Sequence, residues 1–195
     1  MIIIDIGACV GGYIDSCLLT YAVEKIYAFE PLRCNYDFLV EKYKGDARIA
    51  VINAAVSGFD GKAKFYKKFL EGRHSEHVGC EGSSLYSNKQ GISKRAFDEV
   101  SVIRLSSFVK QNDIRKIDIL KIDAEGSEYE IFQDIFDKGI YNCVGKFCYE
   151  DHCRKIKGLD KERDRFIKKV NLLNIGDKIY TEGITNQYDT RFNNI

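Results

Sequence analysis

The chain opens with a buried strand that runs directly into a glycine turn. Residues 2–6 are four isoleucines around Asp5, a composition typical of a parallel strand that is covered on both faces. Gly7, Gly11 and Gly12 follow, and glycine lets the backbone turn sharply into a helix. This order of strand, turn and helix predicts an α/β fold, and the start of the helix offers free N–H groups to an anionic ligand.

The spacing of the glycines distinguishes two kinds of nucleotide site. A dinucleotide fingerprint needs Gly-x-Gly-x-x-Gly, but here Gly7 and Gly12 flank Cys9 at the middle position, where a side chain would meet the pyrophosphate. The alternative pattern, Asp5-x-Gly7-x-x-x-Gly11, resembles motif I of the class I S-adenosylmethionine-dependent methyltransferases. A plain α/β turn without a ligand is the third interpretation, so the turn alone leaves the choice open.

Composition narrows the class of protein. The 30 basic and 29 acidic residues leave no net field that would draw the chain to nucleic acid or to a membrane surface. No apolar run approaches the roughly 20 residues of a membrane span. Seven scattered cysteines match neither a disulfide framework nor a paired zinc pattern, so we expect a reducing cytoplasm. The length predicts a single domain over residues 1–195, and a strand at residue 2 suggests a domain cut from a longer chain.

The second predicted strand, residues 25–30, ends in an acid. Glu30 lies about 20 residues beyond the glycines, which is the position from which a carboxylate accepts hydrogen bonds from the two hydroxyls of a ribose. Pro31 follows it. After the third strand come Ala54 and Ala55, whose small side chains would let a flat adenine lie against the backbone or would simply permit tight packing. The acid and the glycine turn together predict a nucleotide-type cofactor.

Two further strands end in polar clusters. Residues 117–122 form a buried strand, and Lys121, Asp123 and Glu125 crowd its carboxyl end. The strand at 142–149 finishes with a second cluster that includes Glu150 and His152. Ligands of an open parallel sheet bind outside the carboxyl ends of its strands, so we expect both clusters at the functional site.

A long loop is predicted over residues 70–95, where glycine, serine and charged residues replace any periodic pattern. Loops of this length often cover a binding site, and we expect Ser83 and Ser84 to touch the substrate. Three ligand-type side chains also lie in this loop: His74, His77 and Cys80. Because no fourth ligand is near, a solvated polar loop is a better interpretation of them than a metal site.

Helix periodicity and turn residues predict the remaining elements. A serine is expected to cap the short helix at 106–111, and Ser127 with Glu130 predicts a capping box for the helix that follows the strand at 117–122. The other elements are helices at 13–21, 35–43 and 159–173, strands at 48–53, 62–66 and 99–105, and closing antiparallel strands at 178–181 and 188–192.

The motifs occur in the order found in FkbM-type methyltransferases, which the chain resembles over about residues 2–152. They are Asp5-Ile6-Gly7-Ala8, Ala28-Phe29-Glu30-Pro31, Asn53-Ala54-Ala55-Val56-Ser57, Leu120-Lys121-Ile122-Asp123-Ala124-Glu125-Gly126-Ser127-Glu128 and Glu150-x-His152. The resemblance implies a Rossmann-like, seven-stranded, mostly parallel sheet with helices on both faces. It also implies S-adenosylmethionine as methyl donor and a hydroxyl acceptor on a sugar, polyketide or similar natural product.

This interpretation assigns a role to each candidate residue. Asp5 is expected to reach the ammonium group of the cofactor and Glu30 its ribose. The full set expected around the cofactor is Asp5, Gly7, Cys9, Val10, Gly11, Glu30, Pro31, Ala54, Ala55 and Asp123, and the set expected around the acceptor is Ser83, Ser84 and Glu150.

Transfer to a hydroxyl requires a general base. His152 and Glu125 are the first candidates and Asp123 the third, while Lys121 is expected to stabilise the alkoxide or to hold the two carboxylates ionised. A divalent cation on Asp123, Glu150 and His152 is a less favoured alternative. The two rival functions are an NAD-dependent oxidoreductase, against which Cys9 argues, and a non-catalytic methyltransferase-like binding module.

Overall fold

Nine strands and five α-helices are present in the part of the chain that the structure, a computed structural model, describes: residues 1–68, 78 and 81–182. The strands are β1 (Ile2–Ile6), β2 (Lys25–Phe29), β3 (Ile49–Ile52), β4 (Ala55–Val56), β5 (Gly61–Lys68), β6 (Ile92–Ile103), β7 (Ile117–Ile122), β8 (Val144–Glu150) and β9 (Ile179–Glu182). The helices are α1 (Gly12–Thr20), α2 (Arg33–Lys42), α3 (Leu105–Gln111), α4 (Glu128–Asp137) and α5 (Asp160–Leu173), with short 3-10 turns at Ile140–Cys143, Cys153–Lys155 and Gly176–Lys178.

Six strands form one parallel sheet in the order β3-β2-β1-β7-β8-β9. Ile4 of β1 lies opposite Tyr27 of β2 and Leu120 of β7, so β1 is at the centre. Because every pairing is parallel, all six carboxyl ends meet at one edge. The strand order reverses between β1 and β7, which opens the crevice where α/β sheets bind ligands.

The Rossmann-like architecture is confirmed, while two details of the expected sheet differ. It has six described strands rather than seven. The strand predicted at 178–181 as antiparallel is β9, and it pairs parallel with β8, since α5 carries the chain back along the sheet before β9 begins. The partner predicted at 188–192 lies outside the described residues.

Helices cover both faces of the sheet, as expected. Ile3 of β1 packs with Ile14 of α1 and Leu39 of α2 in one buried cluster. Its neighbour Ile4 faces the other side, in a cluster that also holds Phe132 of α4. This alternation follows from the two-residue repeat of a strand. Among the described residues, no helix has the length and apolar character needed to cross a lipid bilayer.

A second sheet has the order β4-β6-β5, in which β6 pairs parallel with β4 and antiparallel with β5. The predicted loop over 70–95 is therefore too long at its end, because β6 already begins at Ile92. At the start of β6, exposed charged side chains such as Lys94 and Arg95 hide the alternation of apolar and polar residues that is typical of a strand. Pairing with β5 is what makes this segment a strand.

Neither predicted serine cap is present. Ser106 lies inside α3, and its hydroxyl donates to Asp134 Oδ1 at 2.7 Å. Ser127 precedes α4 without a side-chain capping bond, because the Glu130 carboxylate is engaged elsewhere, by the hydroxyls of Ser57 and Tyr86. Tertiary partners have replaced the local pairing at both helix starts.

Candidate active site

A cavity of about 440 Å³ opens at the carboxyl edge of the sheet, where the strand order reverses. Most of the predicted site residues line it: Gly7, Cys9, Val10, Glu30, Pro31, Ala54, Ala55, Ser83, Lys121, Asp123, Glu125 and Glu150. Other predicted residues lie outside its described lining: Asp5, Gly11, Ser84 and His152. The carboxyl ends of separate strands thus bring distant motifs to one place, as the sequence predicted.

The turn after β1 requires glycine for steric reasons. Gly7 has φ +81°, and a Cβ built on it would lie 2.0 Å from the carbonyl oxygen of Asp123. Gly11 has φ +82°, and its Cβ would lie 2.3 Å from the hydroxyl of Tyr43. Gly11 permits close packing of α1 against α2 behind the cavity and lies outside its described lining, and its expected contact with the cofactor stays a prediction.

Glu30 ties β2 to the glycine turn. Its Oε2 accepts the N–H of Cys9 at 2.8 Å and its Oε1 accepts the N–H of Leu32 at 2.8 Å. Burial raises the pKa of Glu30 to about 7, and these two N–H groups limit the rise. The Asn35 side chain also hydrogen-bonds to this carboxylate, whose two oxygens together have about four lone-pair sites, so Glu30 keeps some capacity to accept a hydroxyl donor from the cavity.

One end of the cavity is apolar. Leu32, Ala55 and Phe65 belong to one buried cluster against which Leu85 packs, and all four line the cavity. Ala54 lies beside Ala55 at the same wall. Small and flat apolar surfaces of this kind suit an aromatic base, so the alanines contribute to a ligand wall as well as to packing.

Lys121 connects the centre of the sheet to the cavity. Its Nζ lies 3.3 Å from Asp5 Oδ1 and 3.5 Å from Asp123 Oδ2, and it donates to the carbonyl oxygen of Gly7 at 3.1 Å. Asp5 is fully buried and lies outside the described lining of the cavity, and its expected contact with the cofactor stays a prediction. Asp5 provides a counter-charge for the buried lysine.

Asp123 combines access to the cavity with a shifted acidity. Burial raises its pKa to about 6, with Lys121 opposing the rise and the charges of Glu150 and Glu125 adding to it. Its Oδ1 is buried and has no hydrogen-bond partner among the described residues. A carboxylate with this pKa is ionised near neutral pH yet basic enough to accept a proton, which suits a general base.

His152 is enclosed by carboxylates. Its Nδ1 lies 3.0 Å from Glu128 Oε1, and its Nε2 lies 3.0 Å from Glu125 Oε2 and 3.2 Å from Glu150 Oε1. Burial alone would lower the pKa of His152, but the carboxylates of Glu125 and Glu128 outweigh it and raise the pKa to about 10. A protonated ring has no lone pair to accept a proton, so this raised pKa counts against His152 as general base, and its expected role stays a prediction.

Glu125 is equally unsuited to accept a proton. Burial acts to raise its pKa, but His152 and Lys89 lower it to about 2. Its backbone has φ +52°, a conformation that few residues other than glycine adopt. Ser84 helps to hold it, since the serine hydroxyl donates to the Glu125 carbonyl oxygen at 2.7 Å. Ser84 thus supports the turn that carries Glu125, and its expected contact with the substrate stays a prediction.

Sequence analysis assigned no role to Glu128 or Lys89, which organise this cluster. Glu128 Oε1 accepts the N–H of Ala124 at 3.1 Å and that of Gly126 at 3.0 Å, and so shapes the turn that carries Glu125. Glu128 belongs to the motif at residues 120–128, but that motif did not indicate a structural role for its carboxylate. Lys89 lies in an aperiodic loop that gave no signal.

Asp123, Glu125 and His152 each present a ligand-type atom within 4.8 Å of the others. The divalent-cation alternative named Glu150 in place of Glu125, and Glu150 lies 3.2 Å from His152 at the edge of the same cluster. The second group considered for metal, His74, His77 and Cys80, lies outside the described residues.

Comparison with known proteins agrees with this geometry. The family model described as "Methyltransferase FkbM domain" matches residues 5–171, which include the end of β1, the residues that line the cavity and most of α5. No curated protein and no solved structure gives a significant match. Because the family model covers most of the chain, the protein belongs to the FkbM methyltransferase domain family.

Proposed function

We propose that the protein is an S-adenosylmethionine-dependent O-methyltransferase that acts on a hydroxyl of a sugar, a glycan or a related small molecule. One observation carries the proposal: Glu30 and Asp123 line the same cavity at the ends of β2 and β7. The first offers a carboxylate to ribose hydroxyls, and the second offers a base to the acceptor.

The charge of the cavity supports this donor. Its lining includes five carboxylates and three lysines: Glu30, Glu81, Asp123, Glu125 and Glu150 against Lys68, Lys121 and Lys155. An excess of negative charge favours a sulfonium cofactor that also carries an ammonium group. The same excess opposes the pyrophosphate of NAD, so the oxidoreductase alternative is less consistent with the lining.

The polar end of the cavity supports a hydroxylated acceptor. Ser83, Lys155 and Glu150 lie there with Asp123 and Glu125, and they offer both hydrogen-bond donors and acceptors. A polyol can satisfy such a wall, whereas an extended apolar molecule would leave its polar groups unpaired. This favours a sugar over a polyketide.

The chain has groups for each protein task in the transfer. When bound, S-adenosylmethionine supplies an electrophilic methyl group and a neutral thioether leaving group. Asp123 accepts the hydroxyl proton as the new O–C bond forms, and Lys121 holds Asp123 in place through the contact at 3.5 Å. Glu125 and Glu150, both beside the His152 ring, are placed to orient the acceptor by hydrogen bonds.

Calorimetric titration with S-adenosylmethionine, S-adenosylhomocysteine and NAD, each with and without magnesium, tests the donor. We expect micromolar binding of the first two and none of NAD. A screen of sugar acceptors with radiolabelled donor then tests the methyl transfer. Binding of NAD alone would support the oxidoreductase, and donor binding without transfer to any hydroxyl would support the non-catalytic module.

A further inference from the structure

Residues 81–91, called here the covering segment, are fastened to α4 and to the turn that follows β8. Tyr86 donates its hydroxyl to Glu130 Oε1 at 2.7 Å, and the N–H of Gln90 donates to the carbonyl oxygen of Lys155 at 2.9 Å. Lys89 forms an isolated antiparallel bridge with Ile156. The segment is therefore a fixed wall of the acceptor end of the cavity.

The covering segment places an ammonium group inside the acidic cluster. The side chain of Lys89 is only 3% exposed, its Nζ contacts the Glu125 carboxylate, and it donates to the carbonyl oxygen of Gly82 at 2.5 Å. Burying an ammonium group is costly unless it is paired and hydrogen-bonded. Lys89 meets both conditions, and its principal partner is a carboxylate that lines the cavity.

The same cluster has the donor set of a divalent-cation site. Asp123, Glu125 and His152 offer atoms within 4.8 Å of one another, and carboxylate oxygens are the ligands that magnesium and manganese prefer. The two carboxylates supply ligand atoms directly, whereas the His152 ring would have to release its proton before it could bind the ion. A divalent ion on Glu125 would lie against the Lys89 ammonium and be repelled by it. Only one of the two cations can therefore occupy this position.

We propose that Lys89 is a positioning residue of the acceptor site, whose ammonium occupies the place of a divalent cation and fixes Glu125 for contact with an acceptor hydroxyl. The inference rests on the proposed function for the role of Glu125, but not for the competition between lysine and metal. Wild-type protein is then independent of divalent metal. Loss of the ammonium leaves an excess of carboxylates that attracts one.

The experiment compares wild-type protein with Lys89→Met and Lys89→Arg after removal of metal with EDTA. Mn²⁺ is titrated against each, and bound ion is measured by electron paramagnetic resonance. We expect one Mn²⁺ to bind Lys89→Met at least tenfold more tightly than the wild type or Lys89→Arg, and the gain to disappear in the double variant with Glu125→Gln. A lysine that did not compete with the ion for Glu125 would not produce this pattern.

Two outcomes would overturn the inference. The first is a tight Mn²⁺ site in wild-type protein that Glu125→Gln removes, which is decisive even where Lys89→Met does not fold. The second is a folded Lys89→Met protein with no gain in Mn²⁺ affinity. Calorimetry with S-adenosylmethionine on the same samples tests the proposed function separately, because the Mn²⁺ measurement needs neither donor nor acceptor.

Discussion

The carboxylate of Glu30 accepts the backbone N–H of Cys9 at 2.8 Å, so the acid at the end of β2 holds the turn that follows β1. Cys9 has φ +48°, a left-handed conformation that a single hydrogen bond of this kind helps to maintain. The residue proposed to bind the ribose therefore also shapes the backbone proposed to meet the methionine end of the donor. The two roles can be separated by experiment.

Glu30→Gln should raise the dissociation constant of S-adenosylmethionine about tenfold or more, since a hydrogen bond to a charged group is worth roughly 1.5–3 kcal/mol. Glu99→Gln is the matched control, because Glu99 of β6 forms an exposed ion pair with Lys62 of β5, and it should leave the affinity unchanged. Calorimetry measures both. An unaltered affinity in Glu30→Gln would remove Glu30 from the donor site.

The pH dependence of donor binding gives a second test of Glu30. Because the raised pKa of Glu30 is about 7, the carboxylate is half protonated there and accepts fewer hydroxyl donors as the pH falls. Donor affinity should therefore decrease below pH 7, and Glu30→Gln should flatten that part of the curve. Asp5 and Asp123 lie near this cavity, and their pKa values are raised as well. The informative quantity is therefore the difference in donor affinity between wild type and Glu30→Gln at each pH.

The sequence was sufficient to predict that Gly7 and Glu30 lie at one edge of the sheet, because this follows from the strand pattern alone. Gly7 and Glu30 each follow a buried strand, and parallel strands bring their carboxyl ends to one edge whatever the loops do. The surroundings of Asp5 were not predicted, for a related reason. Alternation along β1 turns its side chain into the interior, toward Lys121, and the pattern of isoleucines does not reveal that such a buried charge has a partner.

The acceptor end was harder to predict because its contacts join residues far apart in the chain. Lys89 and Glu125 are 36 residues apart, and neither period nor motif links them. His152 was identified by its position at a strand end, but its pKa is raised by Glu125 and Glu128, which become its neighbours only on folding. The sequence position of His152 thus predicted that it lies near the other acidic residues, whereas its protonation state could be inferred only from the folded geometry.

Asp123→Asn should reduce kcat by about 100-fold or more, the usual contribution of a general base. In the wild type, kcat should rise with pH through about 6 and then level off, because only the ionised carboxylate accepts a proton. Single-turnover transfer to a sugar acceptor, identified by the screen above, measures both. An acid limb that persists in Asp123→Asn would assign the proton transfer to another group.

Gly7→Ala should lower the free energy of unfolding by on the order of 3 kcal/mol. The added Cβ would lie 2.0 Å from the carbonyl oxygen of Asp123, and such overpacking costs about 1 kcal/mol or more. An alanine at φ +81° is also in the left-handed conformation, which costs about 1 kcal/mol or more. Gly12→Ala is the control, because nothing lies within 4 Å of its Cβ and it begins a helix. Urea unfolding compares them, and equal midpoints would contradict the close approach.

His152→Gln should destabilise the protein more at pH 6 than at pH 10.5. The pKa of His152 is raised from 6.5 to about 10 in the folded state, so its charged form contributes stability that is fully present below pH 6.5 and is lost as the pH rises through 10. The difference in unfolding free energy between wild type and variant, measured in urea across this range, removes the effect of other titrating groups. A difference that is constant with pH would mean that the ring is neutral, and would restore His152 as a candidate base.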